Sequence, residues 1–282
     1  MAIQTIGVLG CGLMGGGIAQ VCATSGYKTI VREVNGDFLK RGLGRIEKRL
    51  EVGVEKGRLL PEARETTLSN LVGTTSFEKF KDCDIVIEAI TESLEDKRAL
   101  YTEVEKVVSQ SAIIVSNTSS LCITELAAST KRPDRFAGMH FFNPVPVMKL
   151  VEVIRALTTT EETYKTVFEL AKALGENPVT VVDRPGFIVN RLLIPYLLDA
   201  IRAYEQGLGS MEDIDQAMQL GCGHPMGPFT LLDFIGLDTT YFIANIMFEE
   251  FRQPSYAPPP LLKRMVLAGH LGKKSGQGFY KY

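Results

Sequence analysis

The sequence predicts an α/β fold: a doubly wound, Rossmann-type first domain followed by an all-helical second one. Three observations carry this. Short blocks rich in Val, Ile and Leu alternate with helix-length segments through the first 183 residues. A glycine-rich turn, Gly10-Cys11-Gly12-Leu13-Met14-Gly15, directly follows the first of these blocks. Beyond Asp183-Arg184-Pro185-Gly186 the strand-like blocks give way to helical patterns. Alternation of this kind is the mark of parallel strands joined by crossover helices.

Residues 3–9, 28–32, 84–88, 112–116 and 136–140 read as strands, with 149–154 and 179–182 as further extensions of the sheet. Near-continuous apolar runs are what strands covered on both faces require. The stretch 36–70 is longer than the roughly dozen residues that a crossover needs. It is charged and reads as two helices, either a solvated hairpin or an arm over a ligand. Residues 189–206 form a helix with apolar side chains on nearly all sides and Pro195 within it. Such a helix is buried in a core or against another subunit. Ser210, with Asp213 three residues on, reads as the N-cap of the next helix, and Gly221 as its stop. A further helix follows Asp238 and a last one ends near Gly269, with Pro258-Pro259-Pro260 between them. The domains expected are therefore 1–183, with 36–70 inserted, and 184–282.

Composition excludes several classes. Lys and Arg total 31 against 33 Asp and Glu, for a net charge of −2. That balance does not suit a protein whose task is holding a phosphate backbone, so no nucleic-acid partner is expected. No apolar run approaches the ~18 residues of a transmembrane helix, and Met1 leads into a strand-like segment with no signal or transit pattern. Cys11, Cys22, Cys83, Cys122 and Cys222 are odd in number, widely spread and without a C-x-x-C pair. Neither disulfides nor a metal site are expected, and a reducing compartment, the cytoplasm, fits.

In G-x-G-x-x-G, Gly10 allows the tight turn, Gly12 lets backbone approach a pyrophosphate, and Gly15 lets the helix pack on the strand. The phosphates then sit at the helix N-terminus. Glu33 ends the next strand, 23 residues after Gly10. An acid there accepts hydrogen bonds from an adenosine ribose and repels a 2′-phosphate, which predicts NAD over NADP. Arg32, its neighbour, points to the other face, because the side-chain period of a strand is two.

In open α/β sheets ligands bind beyond the carboxyl ends of the strands. Glu33, Thr91-Glu92, Asn117-Thr118-Ser119-Ser120 and His140 all fall there. Imidazole suits proton transfer near neutrality. If the chain doubles back around Pro144-Val145-Pro146, Glu152 faces His140 and can fix its tautomer, as the carboxylate of a catalytic triad does. His224 reads as a turn or helix-end residue and His270 as a surface one. Taken alone, Ser119 reads as the N-cap of a helix starting near Leu121, and Asn190 as a helix N-terminal residue.

Several segments together resemble the L-3-hydroxyacyl-CoA dehydrogenase family. They are Ser116-Asn117-Thr118-Ser119-Ser120, the run from Gly138 to Glu152, Pro185 to Arg191, His224 to Pro228, and Gly272 to Tyr280. The resemblance spans the chain and implies NAD-dependent, reversible oxidation of an (S)-3-hydroxyacyl-CoA, of the short-chain, 3-hydroxybutyryl kind. It implies His140 as general base paired with Glu152, Ser119 at the substrate's 3-oxygen, and Asn190 orienting the acyl group. Gly10, Gly12, Gly15, Glu33, Glu92, Lys97, Asn143 and Lys274 match NAD-contacting positions, and Leu13, Met14, Asn117 and Ser119 are placed with them. The segment 36–70 matches an arm over CoA, with Lys56 at a CoA-contacting position. Val52 stands where relatives often carry a basic residue, and Arg49 is the nearby substitute. A homodimer through the helical domain is also implied. Two other readings stay open: a dehydrogenase of a small sugar acid without CoA, which shares the histidine signature, and a non-catalytic cofactor-binding protein on this fold.

Overall fold

The structure is a computed structural model that describes residues 3–282. The reading of Met1 as leading into the first strand lies outside them. The chain divides into two compact units, the first ending at Arg184 and the second spanning Pro185–Tyr282.

The first unit contains β1 (Thr5–Leu9), α1 (Leu13–Thr24), β2 (Lys28–Arg32), α2 (Gly36–Glu55), α3 (Pro61–Ser69), β3 (Leu71–Thr74), β4 (Ile85–Glu88), α4 (Leu94–Val104), β5 (Ile113–Ser116), α5 (Ile123–Ala128), β6 (Phe136–Phe141), β7 (Leu150–Arg155), α6 (Glu161–Ala173) and β8 (Asn177–Val182). The strands form one sheet in the order β3-β2-β1-β4-β5-β6-β7-β8. All residues of β1, β4, β5 and β6 are buried, as apolar runs between helical layers must be. The order reverses between β1 and β4, which places a crevice at their carboxyl ends.

The sheet is not wholly parallel. β7 pairs antiparallel to β6, and β8 runs parallel to β7. The eight residues 142–149 joining β6 to β7 are too few for a crossover, so the chain folds back as a hairpin. The four-residue β3, with Gly73 inside it, is the strand that the sequence reading lacks. Its brevity leaves no period to read.

The second unit contains α7 (Val189–Glu205), α8 (Met211–Cys222), α9 (Pro228–Ile235), α10 (Leu237–Phe251) and α11 (Pro260–Leu267). α7 buries Ile194, Leu197, Leu198, Ala200 and Ile201 on one side but leaves Leu192 71% exposed, so it is not enclosed all round. Ser210 Oγ accepts from Asp213 N at 3.0 Å and caps α8. The helix runs past Gly221 and stops at Gly223, whose φ of +69° is the left-handed stop. α9 is a short helix additional to those expected from the sequence. Among the described residues no single helix is long and apolar enough to cross a membrane.

Candidate active site

The glycine turn has the stereochemistry a dinucleotide needs. Gly10 has φ +97°, and a Cβ on Gly15 would lie 2.1 Å from Gly10 O, so neither accepts a side chain. Gly12, in contrast, faces open space to beyond 4 Å. It is the N-cap of α1, and no side chain caps that helix, so the backbone N–H groups of its first turn are presented outward beside Leu13 and Met14. The turn therefore fits a pyrophosphate.

Glu33 Oε1 accepts from Cys11 N at 2.7 Å and Oε2 from Val34 N at 3.1 Å, which fixes the carboxylate beside the turn. Arg32 leaves on the other face, its guanidinium 3.7 Å from the Phe77 ring centroid and its Nε donating to Thr75 O at 3.2 Å. Arg45 Nη2 donates to Cys11 O at 2.9 Å and ties α2 to the same turn, a contact invisible in the sequence.

The β6–β7 hairpin sets His140 directly opposite Glu152. Nδ1 of His140 lies 2.7 Å from Glu152 Oε2, and both side chains are buried. With a carboxylate accepting at Nδ1, Nε2 is the nitrogen that exchanges a proton with a ligand. The Phe142 ring lies 4.5 Å from the imidazole, centroid to centroid. Asn117 Oδ1 accepts from Phe141 N at 2.9 Å, stitching the end of β5 to the residue after the histidine. Asn143 follows, exposed.

Ser119 does not cap a helix. The first N–H groups of α5 are satisfied instead by Asp183, which accepts from Ile123 N at 3.0 Å and Thr124 N at 2.7 Å. That cap comes from about 60 residues away, which is why local reading chose Ser119. Ser119 is instead held by Glu92. Glu92 Oε1 accepts from Ser119 N at 2.9 Å, Ser120 N at 3.2 Å, Ser120 Oγ at 3.1 Å and the Thr118 hydroxyl. Burial alone would raise the Glu92 carboxyl. Lys97 and the Thr118, Ser119 and Ser120 donors outweigh it and hold the group below the ordinary glutamate range.

Lys97 is enclosed, with Glu88 Oε1 at 2.6 Å and Glu92 Oε2 at 3.4 Å, and has no exposed surface. It stands behind Glu92, on the core side of the loop that carries Ser119. Glu88, Tyr101 and Ser116, which complete this cluster, were not singled out from the sequence. The one available signal was an acid ending the otherwise apolar Ile85–Glu88.

Arg49 also departs from expectation. Its Nε donates to Gln20 Oε1 at 2.8 Å and its Nη2 to Gly16 O at 3.1 Å, so it braces α2 against α1 and is not a cation presented to a ligand. Lys48, Lys56 and Arg58 are exposed on the arm, Lys56 at the end of α2, and Val52 is half-buried. In the second unit Asn190 stands in the first turn of α7. Lys274 is paired with both oxygens of Asp238, at 2.6 and 2.7 Å. His224 Nδ1 meets Tyr196 OH at 3.2 Å, and His270 is half-buried just after α11. Among the described residues no group of three or more His, Cys, Asp or Glu could hold a metal ion.

A dinucleotide turn and a carboxylate-oriented histidine on one sheet define the class as an NAD-dependent oxidoreductase. Comparison with known proteins gives the family. Residues 5–184 match the model of the 3-hydroxyacyl-CoA dehydrogenase NAD-binding domain, and residues 186–282 that of the 3-hydroxyacyl-CoA dehydrogenase C-terminal domain. The chain is 48% identical to a 3-hydroxybutyryl-CoA dehydrogenase of Mycobacterium tuberculosis, covering 100% of this chain and 99% of the relative. It is 47% identical to the human mitochondrial hydroxyacyl-coenzyme A dehydrogenase, covering 99% and 91%. The solved structure of (S)-3-hydroxybutyryl-CoA dehydrogenase from Ralstonia eutropha superposes with a TM-score of 0.97 at 44% identity, covering 100% and 99%. The chain belongs to the 3-hydroxyacyl-CoA dehydrogenase family.

Proposed function

We propose that this enzyme interconverts (S)-3-hydroxybutyryl-CoA and acetoacetyl-CoA, with longer acyl chains as poorer substrates. The observation that carries the reading is the buried His140–Glu152 pair at 2.7 Å, on the same sheet as a turn fitted to a dinucleotide. The names of full-length relatives support the short acyl chain. The nicotinamide, when bound, supplies the hydride acceptor. His140 takes the C3 hydroxyl proton during oxidation and returns it to the keto oxygen during reduction, and Glu152 orients the ring and stabilises the imidazolium. Ser119 hydrogen-bonds the 3-oxygen and Asn190 orients the acyl group. Glu33 selects NAD at the ribose. Gly10, Gly12, Leu13, Met14, Gly15, Glu92, Asn117, Asn143 and Lys274 complete the cofactor contacts.

In this reading residues 1–183 are the NAD-binding domain and 184–282 the substrate and dimerisation domain of a homodimer. The arm 36–70 meets CoA through Lys56. Five free cysteines suit a reducing compartment such as the cytoplasm. The test is NADH oxidation with acetoacetyl-CoA and a longer 3-ketoacyl-CoA side by side, with free coenzyme A as inhibitor. The expected result is higher kcat/KM on acetoacetyl-CoA and competitive inhibition by coenzyme A. Activity confined to small oxo acids, indifferent to coenzyme A, would favour the sugar-acid alternative.

A further inference from the structure

Where β4 and β5 end, the proposed site rests on a chain of buried charge that neither the glycine turn nor the histidine pair uses. Glu88 has no exposed surface and accepts from Lys97 Nζ at 2.6 Å, Ser116 Oγ at 2.7 Å, Ile90 N at 2.8 Å and Tyr101 OH at 2.9 Å. Lys97, also without exposed surface, reaches on to Glu92 Oε2 at 3.4 Å. The other oxygen of Glu92 gathers the Thr118–Ser120 segment. One cation is thus shared by two carboxylates, and the outer carboxylate shapes the loop that carries Ser119. A well-packed apolar cluster of the same volume would often be at least as stable as such a buried ion pair. Stability alone therefore does not account for it.

We propose that Glu88 is a positioning residue for the reaction: from the core it holds Lys97 in place against Glu92, and Lys97 in turn keeps Glu92 charged and gripping the Ser119 loop. The inference rests on the assignment of Glu92 to the cofactor and Ser119 to the substrate oxygen. The groups that face Glu92 are consistent with this. From α4 it meets Lys97; Tyr101 stays neutral, burial and then Glu88 pushing its phenol well above the usual range; Asp96 is engaged by Thr91 Oγ1 at 3.1 Å. From the loop after β5 it meets the hydroxyls of Thr118, Ser119 and Ser120 and the N–H groups of Ser119 and Ser120, and from β4 it meets Glu88 through Lys97.

The two halves of the pair make opposite demands, which yields a test that loss of packing cannot imitate. In Glu88→Gln, Lys97 is left to Glu92 alone, so Glu92 stays anionic and only its placement suffers. In the double variant Glu88→Gln/Lys97→Met the pair is replaced wholesale by neutral groups, which keeps the fold, and burial then acts on Glu92 without a cation beside it. NADH affinity by fluorescence and kcat/KM for acetoacetyl-CoA are measured on the full chain from pH 5 to 9, with melting temperatures. Glu88→Gln should lose a fewfold with the acid limb unmoved. The double variant should show its acid limb shifted upward by about one pH unit or more, so that its loss at pH 6 exceeds its loss at pH 8. A folded double variant with the wild-type pH profile overturns the proposal, as do pH-independent losses that follow the melting temperatures. Wild-type protein that binds NADH but does not reduce acetoacetyl-CoA would instead refute the proposed function, and the NADH-binding profiles would still decide the role of Glu88.

Discussion

Two neighbouring strand pairs of the same sheet each bury a carboxylate with no exposed surface, and they use it differently. In the β6–β7 pair Glu152 is joined to an imidazole, the side-chain type suited to proton transfer. In the β4–β5 pair Glu88 is surrounded by four donors, one of them the Lys97 ammonium. The first arrangement can move a proton; the second can only hold things still. Chemistry and positioning are thus separated by one strand spacing each side of β5, and Asn117 and Ser119, at the end of β5, stand between them.

The sharpest break of this contrast is His140→Gln, which should lower turnover by roughly 10²–10⁴, the usual cost of losing a general acid–base group. NADH binding, read by fluorescence, should barely change. Turnover near the wild-type rate would move the chemistry away from the β6–β7 pair. Glu152→Gln should also lower turnover, by up to roughly 10⁴, because an amide neither fixes the histidine tautomer nor stabilises the imidazolium, and steady-state kinetics across neutral pH measures it.

Away from both strand pairs the expected effects shrink. Glu33 should give NADH about a tenfold or greater advantage over NADPH in kcat/KM, equivalent to about 1.4 kcal/mol of repulsion at the 2′-phosphate. A preference for NADPH would mean that a base reaches the ribose despite Arg32 lying on the other face. On the arm, Lys56→Glu should raise KM for acetoacetyl-CoA by roughly three- to tenfold, the scale of an exposed charge contact of about 1 kcal/mol. KM for NADH, and for a truncated thioester without the nucleotide, should hardly move, and the effect should fade with added salt. Equal losses on full and truncated substrates would assign Lys56 to folding of the arm.

The smallest effect concerns acid stability. Glu92 titrates below its unfolded value, so it stabilises the fold above the ordinary glutamate range near pH ~4.3, and that contribution is lost as pH falls through the lower folded value. Glu92→Gln should therefore flatten part of the decline in melting temperature below about pH 4. An unchanged slope would show that the carboxylate gains nothing from Lys97 and the loop.

Much of this was written locally in the chain. The glycine spacing, the acid at 33, the twelve-residue separation of His140 and Glu152 and the capping serine at 210 are short-range patterns, and each appears where its spacing put it. What escaped depends on distance along the chain. Asp183 caps α5 from the end of β8, and Lys97 folds back onto Glu88 beneath the strand ends. Arg49 looks like a surface cation in sequence, yet it spans to Gln20 and Gly16 across a helix interface. A charged residue's partner is set by packing between elements, which periodicity does not encode. The reversal of β7 is legible in the short connection after β6, where the chain doubles back around Pro144-Val145-Pro146 and sets Glu152 opposite His140.

The central claim is that His140 and Glu152 act as one unit, and a double-mutant cycle tests it most directly. kcat for acetoacetyl-CoA reduction is compared among the wild type, His140→Gln, Glu152→Gln and the double variant. Residues that work as a unit lose far less together than the product of their separate losses. The double variant should therefore be no slower than His140→Gln alone, within about twofold. A double variant slower by the full product of the two single losses would contradict the account, because Glu152 would then act on something other than the histidine.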